Sequence, residues 1–506
     1  MRKLAIPITA ALIVTMTPAP ASAIDEINTK RLRDAVTVSG IMSHERVLQR
    51  IANNNDGTRA SGTPGYAASA AYVKDTLSKA GYQVTEQQFT FPFYRELEPA
   101  ALTQVAPTAT TYETATYSYS GTGDVTGELV PTTDVLIPPP ATPGSTSGCE
   151  AGDFVPAAAD RPQVALIQRG SCTFEIKATN AQAAGYDAVI IFNEGQEGRQ
   201  ELFVGDLGSA FTIPVVGVDF ATGSALYAAS RAGGVTVRVV TSTEQNAAAT
   251  TSHVIAETPG GTPDRVIVVG AHLDSVIEGP GINDNGSGTS AILEIALQMS
   301  KLNINPRQKV RFAFWGAEES GLLGSEHYVA NLSDAELADI YANLNFDMLG
   351  SPNYVRFVYD GDGSPTGTAG PAGSAEIENL FTSYFAGQGL ASEPTPFTGR
   401  SDYGPFIAVG IPAGGLFTGA EGVKTEAQAA VYGGTAGEPY DPCYHQACDT
   451  ITNLNTRALS EMGDAAAHAV LTLARSRTGF FPDNSLRARA KVAAPEFDYR
   501  GSHAIR

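Results

Sequence analysis

The stretch RVIVVGAHLD, residues 265–274, decides the architecture. It is a short unbroken apolar run that closes on two polar residues, His272 and Asp274. Three further segments repeat the form: KVRFAFWGAEE (309–319), YANLNFDMLG (341–350) and IPAGGLF (411–417). Between the first two lies GTSAILEIALQMSKL (288–302), which has helical apolar spacing. Continuous apolar strands alternating with helices indicate an α/β fold: a mixed, largely parallel sheet with helices on both faces. Such sheets bind ligands outside the carboxyl ends of their strands, which is where the polar residues stand here.

Working outward, AASAAYVKDTLSKAGY (67–82) reads as a helix stopped at Gly81, and YQVTEQQFTF (82–91) alternates like a strand. From residue 96 to 150 the composition shifts to Thr, Pro, Ala and Gly. PQVALIQRG (162–170) and YDAVIIFNEG (186–195) read as buried strands with a helix, FEIKATNAQAAG (174–185), between them. IPVVGVDF (213–220) and VTVRVVT (235–241) add two more. Residues 96–246 therefore form a β-rich insert. It divides the main domain into 24–95 and 247–475. The 506 residues exceed one ordinary core, which agrees with two domains.

Both ends carry their own signals. Arg2 and Lys3, the apolar run Leu4–Met16 and the small residues Ala21-Ser22-Ala23 make residues 1–23 a secretory signal peptide, cleaved after Ala23. The run is too short to span a bilayer comfortably, so export rather than a membrane span is expected. The tail 476–506 lacks an apolar period. A removable extension and a surface strap both stay open, with a poorly ordered tail favoured. Four cysteines, Cys149, Cys172, Cys443 and Cys448, favour disulfides in an exported chain. Three connectivities are open, and sequence neighbours paired together is the simplest. The net charge of −20 argues against nucleic-acid binding and keeps an exported protein soluble. The sequence is silent on oligomeric state.

The strand ends carry the chemistry. They present His272, Asp274, Glu318, Glu319 and Asp347. The glycine-rich turn GPGINDNGSG (279–288) adds Asp284, and a later loop adds Tyr444 and His445. Taken singly, each has an ordinary role. An Asp in a glycine turn shapes the turn, a Glu-Glu pair sits on a wet surface, and a lone His is structural, the reading given to His44, His253, His327, His468 and His503. As a set, two imidazoles and three carboxylates without thiolates suit zinc, with cobalt or manganese also open. They exceed what one tetrahedral ion needs and fit two ions, bridged by Asp284. If residues 318–319 are extended, their side chains point to opposite sides: Glu319 ligates while Glu318 faces the attacking water as general base. Asp274 then orients the His272 ring.

At these residues the chain resembles the secreted bacterial leucyl aminopeptidases, enzymes with two co-catalytic zinc ions. The resemblance rests on GAHLDSV, GINDNGSG, FAFWGAEESGLLGS, LNFDMLGSPN, GRSDYGPF, GGLFTGA and CYHQACDT, and on residues 51–90. It covers about 40–95 and 250–475. It implies a zinc-peptidase fold and two Zn2+ per chain. One ion would be held by His272 and Asp347, the other by Glu319 and His445, with Asp284 bridging. It implies Glu318 as base, Tyr444 as donor to the oxyanion, Arg400 as a substrate-positioning group, and Met348 and Phe417 in an apolar pocket for the first side chain. It further implies a Cys443–Cys448 bridge fixing the loop of Tyr444 and His445. The substrate would be peptide or protein N-termini with a large apolar first residue. Two departures stand out. Tyr403 replaces a frequent His that is not a ligand. Some members bind calcium through acidic residues near the termini, but here Ser460 takes one position and only Asp464 remains, which argues against calcium. RPQVALIQRGSCTFEIKATNAQAAGYDAVIIFNE (161–194) resembles a protease-associated domain, with substrate access, protein interaction or simple surface cover as its role.

Two alternatives share the core. A zinc carboxypeptidase needs a basic cluster for the substrate carboxylate, and Arg400 stands alone. A non-enzymatic binding protein on this fold loses ligands, whereas all five and the base are present.

Overall fold

The computed structural model describes residues 27–477. The expected signal segment, His503 and all of the tail beyond residue 477 lie outside the described residues.

The chain opens with α1 (Lys30–Arg33), α2 (Val38–Asn53) and α3 (Pro64–Lys79). Thr37 and Thr63 start the two longer helices, their side chains accepting from Gly40 N and Tyr66 N, and Pro64 opens α3 where its missing N–H costs nothing. The strand β1 (Gln83–Ala106) leads into the insert: β2 (Thr110–Tyr112), β3 (Ala115–Thr116), β4 (Gly123–Pro131), β5 (Gln163–Gln168), α4 (Phe174–Ala183), β6 (Ala188–Phe192), β7 (Val215–Val218) and α5 (Phe220–Gly233). β8 (Thr236–Glu257) leads out. The main domain continues with β9 (Thr262–His272), α6 (Gly288–Lys301), β10 (Gln308–Trp315), α7 (Leu323–Ala330), α8 (Asp334–Asp339) and β11 (Ile340–Phe346). It ends with β12 (Phe357–Tyr359), α9 (Ser374–Gly387), β13 (Glu393–Thr395), α10 (Tyr403–Ala408), β14 (Ala413–Phe417), α11 (Glu426–Tyr432) and α12 (Thr456–Arg475).

β10, β9, β11 and β14 lie side by side and parallel. Their side chains alternate between two cores. Ile267, Val269, Phe312 and Phe314 face one way, against α6 and α12. Val266, Val268, Ala313 and Trp315 face the other, against Tyr328 of α7 and Phe406 of α10. Both faces are covered, which is why these strands are apolar throughout. The fold class expected from sequence is thus the one observed.

The insert repeats this plan. β4, β5, β6 and β7 are parallel, with Ile167 and Ile191 packed in the core of α4 and Leu166 and Ile190 in that of α5. It is joined to the main domain by shared strands rather than by a flexible linker. β1 and β8 run antiparallel along their whole length, from Gln83↔Glu257 to Ala106↔Thr236. β8 also pairs with β10 near its end and with β4 near its start, making one continuous sheet of 14 strands. The compositional breaks at 95/96 and 246/247 fall inside these strands, beside the pairs Tyr94↔Gln245 and Phe93↔Asn246.

Both cysteine pairs join sequence neighbours, Cys149–Cys172 and Cys443–Cys448. No helix among the described residues is long and apolar enough to cross a membrane.

Candidate metal centre

Five side chains expected to bind metal converge beyond the carboxyl ends of the parallel strands. His272 ends β9, and Asp347 follows β11 by one residue. His272 Nε2 lies 3.2 Å from Asp284 Oδ1 and 3.3 Å from Asp347 Oδ1. His445 Nε2 lies 3.3 Å from Asp284 Oδ2 and 3.0 Å from Glu319 Oε2. Asp284 therefore shows one oxygen to each histidine. The arrangement gives two triads of candidate ligands, His272/Asp284/Asp347 and Asp284/Glu319/His445, sharing one carboxylate. Glu318 stands beside the first, its Oε2 3.8 Å from His272 Nε2.

The route to this geometry differs from the extended reading of residues 318–319. β10 stops at Trp315, and Ala317 has φ +54°. Glu318 and Glu319 sit in the turn that follows, so strand alternation is not what separates them. Ala317 is one of seven non-glycine residues with left-handed φ among the described residues; Met348 and His445 are two others. Three of the seven thus touch or flank the candidate ligands. Each such residue is sterically unfavourable by about 1–3 kcal/mol and persists only where surrounding contacts over-determine it.

Those contacts are visible. Asp449 accepts from the backbone N–H groups of Asn283 (2.9 Å) and Asp284 (3.0 Å). Asn285 accepts from Met348 N and donates to Phe346 O, tying the Asp284 turn to the end of β11. Ser401 donates to Asp347 Oδ2 at 2.6 Å. His272 Nδ1 faces the Asp274 carbonyl at 3.2 Å, closer than the Asp274 carboxylate at 3.7 Å, and that carboxylate accepts from Glu318 N. Arg59 is fully buried and donates to the carbonyls of Leu273, Pro280 and Gly281, gripping the loops on both sides of the centre.

Sequence reading missed Arg59, Asp449, Ser401 and Asp402. Asp449 and Ser401 sit within CYHQACDT and GRSDYGPF, where adjacency to a ligand or to Arg400 was the available signal. Arg59 has no local signal, since its partners lie over 200 residues away.

The charges oppose one another. Burial raises the pKa of Glu318 well above the carboxylate range, against the pull of His272 and with the push of Glu319. Burial likewise lifts Glu319 to about 7 and Asp402 to about 8. Burial disfavours a charged His445, but Glu319 and Asp284 outweigh it and raise its pKa to about 11. The same contest, with Glu318 and Asp347 as the main anions, raises His272. Asp284 is held low by both histidines against its burial. Among the described residues, buried Glu319 Oε1 and Asp274 Oδ2 have no hydrogen-bond partner.

The centre opens into a cleft of ≈ 400 Å³. Met348, Phe357, Tyr359, Tyr403, Phe417 and Tyr440 give it an apolar side. Tyr403 also receives hydrogen bonds from Thr398 N and Gly399 N at its hydroxyl. Arg400 lines the cleft with its guanidinium paired to Glu421 Oε1 at 2.6 Å and within 3.3 Å of the Tyr444 hydroxyl. Tyr444 stacks on His445, with ring centroids 3.8 Å apart. No residue of the insert lines the cleft. His44, His253 and His468 pair elsewhere, with Tyr72 and Glu294, with Gln87, and with Thr29. His327 stacks on Phe89.

Residues 253–470 match peptidase family M28, and residues 125–226 match the PA domain. An aminopeptidase of Pseudomonas aeruginosa is 50% identical over 446 residues, covering 87% of this chain and 81% of the relative. Leucine aminopeptidase 2 of Arthroderma otae is 38% identical over 457 residues, covering 90% and 88%. Among solved structures, the aminopeptidase from Aneurinibacillus sp. strain AM-1 aligns with a TM-score of 0.67 at 27% identity, over 89% of this chain and 97% of that one. The zinc aminopeptidase BSAP from Bacillus subtilis aligns with a TM-score of 0.59 at 26% identity, over 86% and 94%.

Proposed function

The chain belongs to peptidase family M28, and from that premise we propose that it is a secreted aminopeptidase using two zinc ions to remove a large apolar N-terminal residue. The observation that carries the two-ion reading is Asp284, whose two oxygens address different histidines. The donor set fits zinc: imidazoles and carboxylates without thiolate, with the buried Glu319 Oε1 still lacking a partner. His272 and Asp347 would hold one ion, Glu319 and His445 the other, with Asp284 shared. When bound, the ions would polarise the scissile carbonyl and acidify the attacking water.

The protein's own groups do the rest. Glu318 takes the proton of the attacking water and returns it to the leaving amine. Burial raises its affinity for a proton, with His272 opposing and Glu319 adding to the rise. The Tyr444 hydroxyl donates to the developing oxyanion. Arg400 anchors Tyr444 and, through Glu421, the rim of the cleft. Asp274 holds the turn of Glu318 by its backbone N–H. Met348 and Phe417, with Phe357 and Tyr440, receive the first side chain, which favours Leu-like residues.

A free N-terminal ammonium suits this cleft better than a C-terminal carboxylate. Asp284, Glu318, Glu319, Asp347 and Glu421 all line it, and its one arginine is already paired with Glu421. Leu-p-nitroanilide and an N-blocked peptide with a free C-terminus separate the readings. We expect turnover of the first only, with two zinc per chain by elemental analysis. Cleavage of the blocked peptide alone would establish a carboxypeptidase. Absence of zinc with no activity on zinc addition would overturn the enzyme reading and favour a binding protein. Secretion is expected from residues 1–23 and agrees with the two disulfides.

A further inference from the structure

A second group of carboxylates lies between β12 and α9, away from the five candidate ligands. Asp360 and Asp362 come from the loop after Tyr359, and Glu378 comes from α9. One oxygen from each lies within 4.8 Å of the other two. Each carboxylate has one oxygen fixed by local donors. Asp360 Oδ2 accepts from Thr366 N (2.9 Å) and Oγ1 (2.6 Å), Asp362 Oδ1 from Ser364 N (2.7 Å), and Glu378 Oε2 from Gly361 N (2.9 Å) and Asp362 N (3.3 Å). Among the described residues, no backbone N–H or hydroxyl donates to Asp360 Oδ1. This is decisive, because the residue is wholly buried. A buried carboxylate oxygen without a donor or cation is strongly unfavourable.

We propose that Asp360, Asp362 and Glu378 form a structural divalent-cation site that takes calcium. Three hard oxygen donors, two from the loop and one from α9, match calcium, which accepts six to eight oxygens at irregular angles, better than the strict octahedron of magnesium or the nitrogen-seeking zinc. The segment DGDGSPT (360–366) spaces oxygen-bearing side chains at alternate positions, Asp360, Asp362 and Ser364, as calcium loops do. Gly363, with φ +70°, permits the tight turn between them. Among the described residues no lysine or arginine pairs with the three carboxylates, and burial, joined by the Asp362 and Asp360 charges, holds the Glu378 pKa up against the backbone hydrogen bonds from Asp362 and Gly361. The site is separate from the Ser460/Asp464 position weighed above, and it does not depend on the proposed peptidase chemistry.

The ion would brace one wall of the cleft. Asp360 N donates to Thr395 O, and Tyr359 pairs in register with Thr395, so the loop is stitched to β13. Tyr359, Pro394 and Thr395 all line the cleft.

The test uses the zinc-saturated full chain, stripped of weakly bound ions and titrated with CaCl2 alone. Calorimetry should show one site and a rise in Tm of at least about 2 °C at saturation. The rise should vanish in D362N and in E378Q. Asp362 is exposed, so D362N is expected to fold as the parent does. No shift up to about 10 mM calcium, above the range of weak extracellular sites, would overturn the assignment. So would equal shifts in the parent and both variants.

Discussion

The main domain and the insert are built alike, yet only one ends in an open cluster of charges. In both, apolar parallel strands lie between helices and deliver polar residues at their carboxyl ends. In the insert these residues are Gln168, Asn193, Glu194 and Asp219. Glu194 is fully buried, as a metal ligand would be, but its oxygens accept from Gly144 N, Ser145 N and Arg199. Gln168 bonds Leu136 at both N–H and C=O, Asn193 bonds Glu201 O, and Asp219 caps α5 through Thr222 N. In the main domain, Glu319 and Asp274 keep buried oxygens with no donor among the described residues. Position at a strand end is common to both, and so is a buried oxygen without a donor, as at Asp134 Oδ1 and Gln196 Oε1 in the insert; what sets the candidate centre apart is that its carboxylates converge with two imidazoles within ligand distance of one another.

The comparison breaks most readily at Glu318 against Glu194. Glu318→Ala should keep both metals but lower kcat by about 10²–10⁴, the usual contribution of a positioned base. Glu194→Ala should leave kcat of the folded enzyme unchanged and lower stability by about 1–3 kcal/mol, because two N–H groups and Arg199 lose their acceptor. Steady-state kinetics with metal analysis on the first, and denaturant unfolding on the second, check both. Turnover like the parent's in Glu318→Ala would remove its role as base.

Protonation gives the next largest difference. In the metal-free protein His445, with its pKa raised to about 11, and His272, also raised, carry protons at neutral pH. Each must lose its proton to ligate an ion. Zinc uptake at pH 7 to 8 should therefore release about two protons from the histidines and a further fraction from Glu319, whose pKa is raised to about 7, and the overall affinity for the pair should fall about tenfold per proton for each unit drop in pH. Calorimetric titration in buffers of different ionisation enthalpy measures the release. The insert has shifted groups too, Lys177 down to about 8 and Asp206 up to about 6, but burial is the leading cause in each. They should contribute no protons to zinc uptake.

Much of this was legible in the sequence because strands buried on both faces leave unbroken apolar runs. Four of the five candidate ligands were legible for the same reason, since each run ends in them or a glycine turn follows; His445, in a loop between helices, was legible only through the stretch CYHQACDT. Three things were not. The helix α5 was passed over because only Gly223 and Leu226 of its 14 residues are buried, so its apolar stripe is narrow; Asp219 followed by Thr222 was the cap signal. The union of the two sheets was invisible, because β1 and β8 carry strand-like residues straight through the compositional breaks. Arg59 was hidden because its contacts are all distant. Arg59→Met keeps the volume but frees the carbonyls of Leu273, Pro280 and Gly281. Removing such outer support should weaken zinc binding about 10–100-fold, with little change in the insert. Zinc competition with a chelator reads this directly, and unaltered affinity would make Arg59 a purely structural residue.

The disulfides divide the two regions by a finer effect. Cys149–Cys172 encloses 23 residues of separation and Cys443–Cys448 only 5. Loop entropy alone makes the first the stronger staple, about 3.4 against about 2 kcal/mol. Function should run the other way. The short bridge encloses Tyr444 and His445, and His445 is held at φ +56°. Without the bridge, relief of that backbone strain, about 1–3 kcal/mol, competes with ligation. Replacing Cys443 and Cys448 by serine should thus lower zinc affinity and kcat/KM by about tenfold while lowering Tm modestly. Replacing Cys149 and Cys172 should lower Tm more and leave kcat/KM of the folded enzyme near that of the parent. Equal losses of kcat/KM in both variants would mean that the shared strands β1 and β8 transmit the state of the insert to the centre.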